Sequence, residues 1–293
     1  MRIVRALLRT AIGSTLVGSL VCGGGGAAFA EATVDKWQYT LCDPVPDSAL
    51  RSFNPDRPTK AFNPYTVDAG HFQYETDLIN YAYQKTGTVR TNTILAPNPT
   101  LKLGITNNID FELNIAPFEQ AETKDVATGI SSRFTGPSDL FLRSKINLWG
   151  NDGGKSAFAL IPFVKAPTAP NGIGNGAAEG GIIAPLSFSL PNDFTLLFNS
   201  EIDILKNSSD NSYRAGFINL VNLSKPIIKD VTLYVELWSD VIDDPAHTVR
   251  QYSFDTAIAW TVRANTQIDI GANFGLNSDT PAIQVYAGLA QRF

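Results

Sequence analysis

Apolar and polar residues alternate along most of the chain from Ala69 onward. In the segment 109–115, IDFELNI, the odd positions are Ile, Phe, Leu and Ile, whereas the even positions are Asp, Glu and Asn. A period of two is typical of a β-strand whose two faces meet different surroundings. Similar segments recur as far as Phe293, each bounded by Gly, Asn, Asp or Pro, and their number predicts about twelve strands.

Three of these segments alternate poorly. They are the first, at 71–83, the fifth, at 156–165, and the eighth, at 213–223. An extra residue in a strand exchanges its two faces, so we expect a β-bulge in these strands. The alternative is a face that packs against something other than lipid.

The connections between the segments alternate in length. Short turns are predicted at 107–108, 150–155, 191–193, about 225–230 and 263–265, and longer connections at roughly 86–92, 117–138, 166–178, 206–212, 240–248 and 277–281. Outer-membrane barrels have tight turns at the periplasmic end and longer loops outside. The pattern therefore predicts an all-β chain in which residues 69–293 form a single antiparallel transmembrane β-barrel.

Charged residues lie on the faces opposite the apolar ones. In a membrane barrel these faces line the lumen, because lipid covers the apolar faces. The expected lumen-lining residues are Lys102, Asp110, Glu112, Arg143, Lys145, Glu201, Asp203, Glu236, Asp255, Asp269 and Arg292. Since seven of the eleven are acidic and four are basic, we expect a mild preference for cations or neutral solutes. Twelve strands predict a narrow lumen, because barrel diameter grows with strand number.

The last eleven residues, IQVYAGLAQRF, alternate and finish on an aromatic residue. A membrane barrel has to pair its first strand with its last, since an open edge cannot form hydrogen bonds in hydrocarbon. The closing strand is similar to the C-terminal signal by which outer-membrane proteins are recognised by their insertion machinery. Tyr286, Gly288 and Phe293 carry this resemblance, and Gln291 departs from it because an apolar residue is more usual there.

The first thirty residues are typical of an export signal. Arg2, Arg5 and Arg9 precede a moderately apolar stretch, no acid occurs, and the stretch leads to the small-x-small sequence at 28–30. This pattern predicts a signal peptide over 1–30, cleaved after Ala30, and export to the outer membrane. The alternative is a lipoprotein attached at Cys22.

The composition limits the possible partners. Charged residues are 17% of the 293-residue chain, below the roughly 25% of a typical soluble domain. Without the three leader arginines the chain has 20 basic and 28 acidic residues, a balance that argues against nucleic acid. No apolar run long enough for a transmembrane helix follows the leader. Cys42 would remain as a single cysteine, which cannot form an intramolecular disulfide.

The segment 31–68 differs from the remainder of the chain. It contains five prolines and scattered charges, so a long regular element is not expected there. Irregular backbone is tolerated at membrane depth only where protein encloses it. The sequence leaves two alternatives open, a plug inside the lumen or a disordered periplasmic segment.

Several stretches resemble a family of bacterial outer-membrane transporters associated with the meta-pathway of phenol degradation. The stretch NPDRPTKAFNPYTVDAGHFQYETDL resembles its opening block, and the later stretches GPSDLFLRSKINLWGNDGG, EGGIIAPLSFSLP and IDIGANFGLNSDTPAIQVYAGLAQRF resemble further blocks. The residues that match the opening motif include Asp56, Arg57, Pro58, Gly70, His71, Gln73 and Glu75. The similarity covers about 50–293 and implies a membrane barrel that moves small, often hydrophobic compounds. It identifies no substrate.

These observations favour a passive outer-membrane channel without a cofactor. Its expected partners are outer-membrane lipid and lipopolysaccharide, the barrel-insertion machinery and a small-molecule solute. One alternative is an outer-membrane enzyme acting on lipid, which would need a Ser–His pair; His71 and His247 are the histidines available. Another is a soluble secreted β-sandwich that binds a ligand. Asp240, Asp243 and Asp244 could hold a divalent cation, but a solvated acidic loop is the preferred interpretation, so no metal site is predicted.

Overall fold

The computed structural model describes residues 35–293 apart from 208, 209, 211 and 244–247. The expected leader at 1–30, with Cys22, lies outside the described residues, and so do His247 and Asp244. Among the residues that are described, no helix is long and apolar enough to cross a membrane.

Strands make up most of the described chain, with three single-turn 3-10 helices, of which two precede the first strand. The strands are β1 (Phe72–Thr86), β2 (Val89–Leu95), β3 (Asn98–Thr106), β4 (Ile109–Asn114), β5 (Glu119–Asp125), β6 (Ser131–Gly136), β7 (Leu140–Trp149), β8 (Ser156–Ala166), β9 (Glu179–Ser189), β10 (Thr195–Lys206), β11 (Tyr213–Ile228), β12 (Val231–Ile242), β13 (Val249–Arg263), β14 (Thr266–Gly275) and β15 (Ile283–Arg292). The 3-10 helices are Lys36–Gln38, Asp47–Ala49 and Pro191–Asp193.

These strands form one closed barrel with twelve antiparallel strands. β1 pairs with β3 along its first half and with β2 along its second half, so β2 and β3 are two parts of one barrel strand interrupted at Ala96 and Pro97. In the same way β5 continues β4, and β7 continues β6. Every other barrel strand is continuous and pairs with its neighbours in the sequence. The predicted fold class and strand number are confirmed.

The barrel closes between its first and last strands. β1 and β15 pair from Gln73 and Arg292 to Tyr83 and Ile283, with one register shift after Asp77. Phe293 extends this ladder, because its amide donates to the carbonyl of Phe72 at 2.8 Å. Within the barrel wall each strand therefore has a hydrogen-bonded neighbour on both sides, as a hydrocarbon environment requires.

Two of the expected long connections are wrong. At 86–92 the chain makes a two-residue turn, Gly87–Thr88, because β1 and β2 continue the barrel strands further than the sequence pattern indicated. At 117–138 the chain forms β5 and β6. β5 pairs with β2, and β6 pairs with β5, so the two strands form an extension beyond the barrel. The two barrel ends therefore differ less in loop length than expected.

The two faces of the wall have opposite polarity. On β14, Ile268 and Ile270 are exposed, whereas Gln267 and Asp269, which alternate with them, are buried. The same alternation runs around the barrel, and more than thirty large apolar side chains are exposed on the described chain. Such an apolar outer face is stable when acyl chains cover it, and the inner face is polar.

A bulge explains one of the three poorly alternating strands, β1. On β1, Asp77 pairs with Gly288 and Ile79 with Ala287, so Leu78 is the extra residue. Leu78 and Ile79 are both exposed, while Asp77 and Asn80 on either side are buried. β11 also has a shift, between Pro226 and Ile228, but it lies beyond the poorly alternating segment 213–223. Within that segment Leu220 faces inward and packs with Ala61, which agrees with the alternative of a face that packs against something other than lipid. The expected bulge in β8 is wrong: β8 keeps an unshifted register with β9, and the shift lies in β7, between Asn147 and Trp149.

The chain before β1 enters the barrel. Near the short-turn end, Thr40 bridges Thr106, and the amide of Leu41 donates to the carbonyl of Ile105 at 2.8 Å. Residues 51–68, called the plug below, then contact inward-facing side chains of strands on opposite sides of the barrel. An apolar cluster of Ala61, Leu197 and Leu220 forms beside Trp238, but most of the buried interior is polar.

Candidate functional site

The plug is a loop whose two ends lie near the short-turn end of the barrel and whose apex, residues 56–62, reaches the middle of the wall. At its base Arg51 donates to the Asn107 carbonyl at 2.8 Å and to the Asp152 carboxylate at 2.8 Å. Both partners belong to the short turns. The apex instead contacts residues near the centres of strands, such as Lys102 and Asp255.

Asp56 joins the plug to two strands through a pair of lysines. Its carboxylate accepts hydrogen bonds from the ammonium groups of Lys102 on β3 and Lys145 on β7, the latter at 3.0 Å. The Asn63 amide donates to the same carboxylate at 2.7 Å. Burial raises the pKa of Asp56, but Lys102 and Lys145 outweigh this and lower it to about 2. Asp56 is therefore held in its charged form.

Arg57 joins the plug to the closing strands. Its guanidinium donates to both carboxylate oxygens of Asp269 on β14, at 2.6 Å from Nη2 and 3.2 Å from Nε, and to Asp77 on β1. Burial lowers the pKa of Arg57, but Asp269 and Asp77 raise it above its usual value. Bidentate pairs of this kind are strong and geometrically specific, so they fix the position of the apex.

Lys60 joins the apex to the next pair of strands. Its ammonium group lies 3.1 Å from Asp255 and donates to Ser253 at 2.7 Å. It also lies 3.9 Å from the centre of the Trp238 ring, a favourable cation–π distance. Burial lowers the pKa of Lys60, although Asp255 acts in the opposite direction. The apex thus has ionic anchors on both sides of the lumen.

The plug returns to the base through an unusually close backbone contact. The Val67 amide donates to Asp110 at 2.9 Å, and Asp68 accepts from Arg292 at 3.4 Å. A Cβ on Gly104 would lie 2.0 Å from the Asp68 carbonyl oxygen. Because no side chain fits in that space, the plug can approach β3 only where the wall presents a glycine.

The structure places all eleven sequence-predicted lumen residues on the inner face, buried or half-buried. Eight contact the plug directly: Lys102, Asp110, Arg143, Lys145, Glu236, Asp255, Asp269 and Arg292. Glu112 lies beside two of these, within 3.6 Å of Lys102 and 3.5 Å of Lys145. The remaining two residues, Glu201 and Asp203, lie on β10. The sequence missed the plug cations Arg51 and Lys60, which no alternating pattern marks.

The residues of the opening motif meet at the entrance of β1. Glu75 accepts the backbone amides of Asp56 and Arg57 at 3.3 Å and 3.1 Å, and Gln73 donates to Glu75 at 2.8 Å. A Cβ on Gly70 would lie 2.6 Å from the Cβ of Pro44, and the Gly70 backbone has a φ of 78°. The motif therefore fixes the plug against the first strand.

His71 makes two contacts with backbone carbonyls. Its Nε2 lies 2.7 Å from the Val45 oxygen, and its Nδ1 lies 3.1 Å from the Phe293 oxygen. The ring therefore connects the N-terminal segment to the closing strand. His247, the other candidate for catalysis, lies outside the described residues.

The residues proposed as an insertion signal have definite positions in the closed barrel. The ring of Tyr286 is buried inside, where it occupies the space that a side chain at Gly271 would need, and its centre lies 6.0 Å from the Arg57 guanidinium. A Cβ on Gly288 would lie 2.2 Å from the guanidinium of Arg57. Phe293 is exposed and packs on Phe72.

Above the apex lies a cavity of about 270 Å³. Residues 56–62 form one side of it, and the remaining walls carry many uncharged polar side chains. These are Thr76, Asn80, Asn98, Thr100, Asn114, Asn273 and Gln284. Tyr286 and Arg143 also line it, together with Glu75, which pairs with Lys102, and Asp77, which pairs with Arg57. Within the described part of the chain, no group of three or more His, Cys, Asp or Glu residues is arranged to hold a metal ion.

A closed twelve-stranded barrel with an apolar exterior, a polar interior and a chain segment inside has the architecture of outer-membrane channels. The sequence profile of the family described as "Putative MetA-pathway of phenol degradation" matches residues 55–293, so the chain belongs to this family. No curated protein sequence matches the chain significantly.

Solved structures show a similar fold. An outer-membrane channel from Pseudomonas putida F1 is 13% identical over 76% of this chain and 93% of that chain, with a TM-score of 0.57. The NanC porin is 10% identical over 74% of this chain and 98% of that one, with a TM-score of 0.48. A monoaromatic hydrocarbon channel, CymD, is 8% identical over 76% and 87%, with a TM-score of 0.41. At 13% identity the likeness to the Pseudomonas putida F1 channel is one of fold.

Proposed function

We propose that this protein is a passive outer-membrane channel for small, hydrophobic or aromatic solutes, and that its plug narrows the route. The observation that carries the proposal is a closed barrel whose inner face is polar and whose lumen contains a cavity above the plug apex. The family's association with phenol degradation and the outer-membrane channel of similar fold support the same assignment.

The route through the barrel would be set by the plug. A solute from the long-loop end would enter the cavity, whose walls carry amides and hydroxyls together with the rings of Phe62 and Tyr286. It would then pass the apex, where Asp56, Arg57 and Lys60 are bound to the wall. Passage would require the apex to shift, so conductance should depend on how strongly these ion pairs hold it.

The ion preference of the open route stays a prediction. The eleven wall charges favour cations mildly, whereas the plug adds three cations and two carboxylates to the same lumen. These are Arg51, Arg57 and Lys60, and Asp56 and Asp68. Reversal potentials measured in a salt gradient would test this preference, because an anion-selective current would contradict it.

The membrane setting of this channel is part of the proposal. The barrel would lie in the outer membrane with its apolar belt against lipid and its extension, formed with β5 and β6, beside lipopolysaccharide. The insertion machinery would recognise Tyr286, Gly288 and Phe293 before the barrel closes. No catalytic step is proposed, since both ring nitrogens of His71 already face backbone carbonyls.

Conductance of the refolded protein in planar lipid bilayers tests the proposal. We expect small, infrequent currents from the protein that lacks residues 1–30. A variant with Asp56→Asn, Arg57→Gln and Lys60→Gln should conduct more, because its apex has lost its ionic anchors. Arg133→Gln is the matched control, since Arg133 is exposed and pairs with Glu122 on the extension.

Folding is checked in the same samples by the mobility shift of unheated barrels on gels. If both forms migrate as closed barrels and neither conducts above the lipid baseline, the channel assignment is wrong.

A further inference from the structure

The cavity above the plug apex is lined by four cations that differ in their partners. Arg57 pairs with Asp77 and Asp269, and Lys60 pairs with Asp255. Lys102 is shared by Asp56, Glu75 and Glu112. Among the described residues, Arg143 alone of these four has no carboxylate within ion-pair distance and no hydrogen bond.

Arg143 is held in position by aromatic rings. Its guanidinium carbon lies 5.2 Å from the centre of the Phe62 ring on the plug and 5.0 Å from that of Phe141 on its own strand. Its Nε is buried without a hydrogen-bond partner. The side chain is therefore aligned by its neighbours, its buried Nε–H lacks an acceptor, and the residue lines the cavity.

Glu112, Glu201 and Asp56 act on Arg143 electrostatically, but in the described part of the chain none of them forms an ion pair with it. Glu112 is opposite Arg143 in the β4–β7 ladder, yet its carboxylate lies 3.6 Å from Lys102 and 3.5 Å from Lys145. A buried cation without a paired anion and without hydrogen bonds is unfavourable. An anion that entered the cavity would supply the missing acceptors, and a guanidinium is suited to the two oxygens of a carboxylate.

The rest of the cavity limits the size and shape of the anion. Its volume of about 270 Å³ is just below the roughly 300–1,000 Å³ of pockets that hold drug-sized ligands. Phe62 offers a flat apolar surface beside the guanidinium, and the amides of Asn98 and Asn114 supply uncharged polar walls. This combination suits a single planar ring that carries one carboxylate.

We propose that Arg143 and Phe62 form a binding site for a small planar monocarboxylate in the cavity above the plug. The carboxylate accepts hydrogen bonds from the Arg143 guanidinium, and the ring packs against Phe62. This inference rests on the proposed channel function for its role in transport, in which the site would hold such a solute before it passes the plug.

Isothermal titration of the folded barrel in detergent tests the site without any need for conduction. Benzoate is the probe, and benzamide is its neutral analogue of the same shape. We expect benzoate to bind at least about tenfold more tightly than benzamide. Arg143→Gln should remove this difference, whereas Arg143→Lys should keep part of it, because lysine retains the charge but loses the planar fork.

Two further measurements test the contributions of the carboxylate and of the ring separately. Phe62→Leu should weaken benzoate binding while leaving the preference over benzamide, and acetate should compete with benzoate poorly. Arg133→Gln is the control for the loss of one arginine. Equal binding of benzoate and benzamide to the unaltered protein, or unchanged benzoate binding in Arg143→Gln, would overturn the site. Equally effective competition by acetate would overturn the assignment of the ring to Phe62.

The outcome is distinguishable from that of the conductance experiment. A barrel that conducts but does not discriminate benzoate from benzamide contradicts the carboxylate site alone. If Arg143→Gln does not fold, the comparison of benzoate with benzamide on the unaltered protein and on Arg143→Lys still decides the question.

Discussion

Arg57 and Asp269 are 212 residues apart in the sequence, and the guanidinium of the first donates to both carboxylate oxygens of the second. Arg57 belongs to the irregular segment that precedes the barrel, and Asp269 belongs to its next-to-last strand. The contact therefore joins the beginning of the described chain to the end of the wall. It makes the plug part of the folded barrel.

The first prediction concerns this pair. Arg57→Gln should leave the Asp269 carboxylate buried without its cation, and breaking a buried pair from one side costs about 3–5 kcal/mol. We expect the apex to detach more often, so the open probability in bilayers should rise. The double variant Arg57→Gln with Asp269→Asn should recover part of the lost docking stability, because Asp269 no longer carries an unpaired charge, while Asp77 still lacks its Arg57 partner.

Arg133→Gln provides the matched control for this set of single and double variants. The Arg133–Glu122 pair is exposed on the extension, so it should contribute little to the position of the apex. An open probability that is identical in unaltered protein, single variants and double variant would show that the pair does not hold the apex.

The second prediction is a pH dependence that originates at Asp56. Its pKa falls from an ordinary 3.8 to about 2 when the plug is docked, so the docked form is stabilised above pH 3.8. At 1.36 kcal/mol per pKa unit this contribution is about 2 kcal/mol. It is lost as the pH falls through about 2, because protonation removes the charge that Lys102 and Lys145 face.

Conductance recorded between about pH 5 and pH 2 checks this sign. Openings of the unaltered channel should become more frequent towards the acidic end. Asp56→Asn lacks the titrating group, so it should open often throughout and change less over this range. A steeper acid response in Asp56→Asn than in the unaltered protein would contradict the assignment to Asp56.

The third prediction uses the close contact between Gly104 and the plug. Gly104→Ala would place a Cβ 2.0 Å from the Asp68 carbonyl oxygen, so the plug backbone must move. We expect larger currents with an intact barrel. Gly216→Ala is the matched control on β11, where the nearest atom is the end of the flexible Leu205 side chain at 3.0 Å. Equal currents in both variants would mean that the plug tolerates the displacement.

The fourth prediction tests the strand register. Leu78 is the extra residue of the β1 bulge, so its deletion should leave every other side chain of β1 on its present face. Deletion of Phe198 from the regularly paired β10 should instead exchange inner and outer faces along part of that strand. The fraction of protein that migrates as a folded barrel on unheated gels should stay high for the first deletion and fall sharply for the second.

The sequence is informative about this barrel because its main signal is local. Alternation on segments such as Ile109–Asn114 depends on which side of the strand each residue occupies. It can therefore be recognised without knowing which strands are neighbours in the barrel. It fails at Leu78, where one additional residue exchanges the faces. It also fails in the extension, where β5 and β6 lie beyond the barrel and their residues are mostly half-buried or exposed.

The sequence by itself determined the number of strands, the two-faced wall and the closure of the last strand, because each follows from the period of two and from the need to satisfy backbone hydrogen bonds in lipid. Only the tertiary structure decided that residues 51–68 lie inside the lumen, that Asp56 meets Lys102 and Lys145, and that Arg143 forms no ion pair with a carboxylate among the described residues. Those relationships join groups tens to hundreds of residues apart. They depend on strand register around a closed circle, where a single bulge changes which side chains meet.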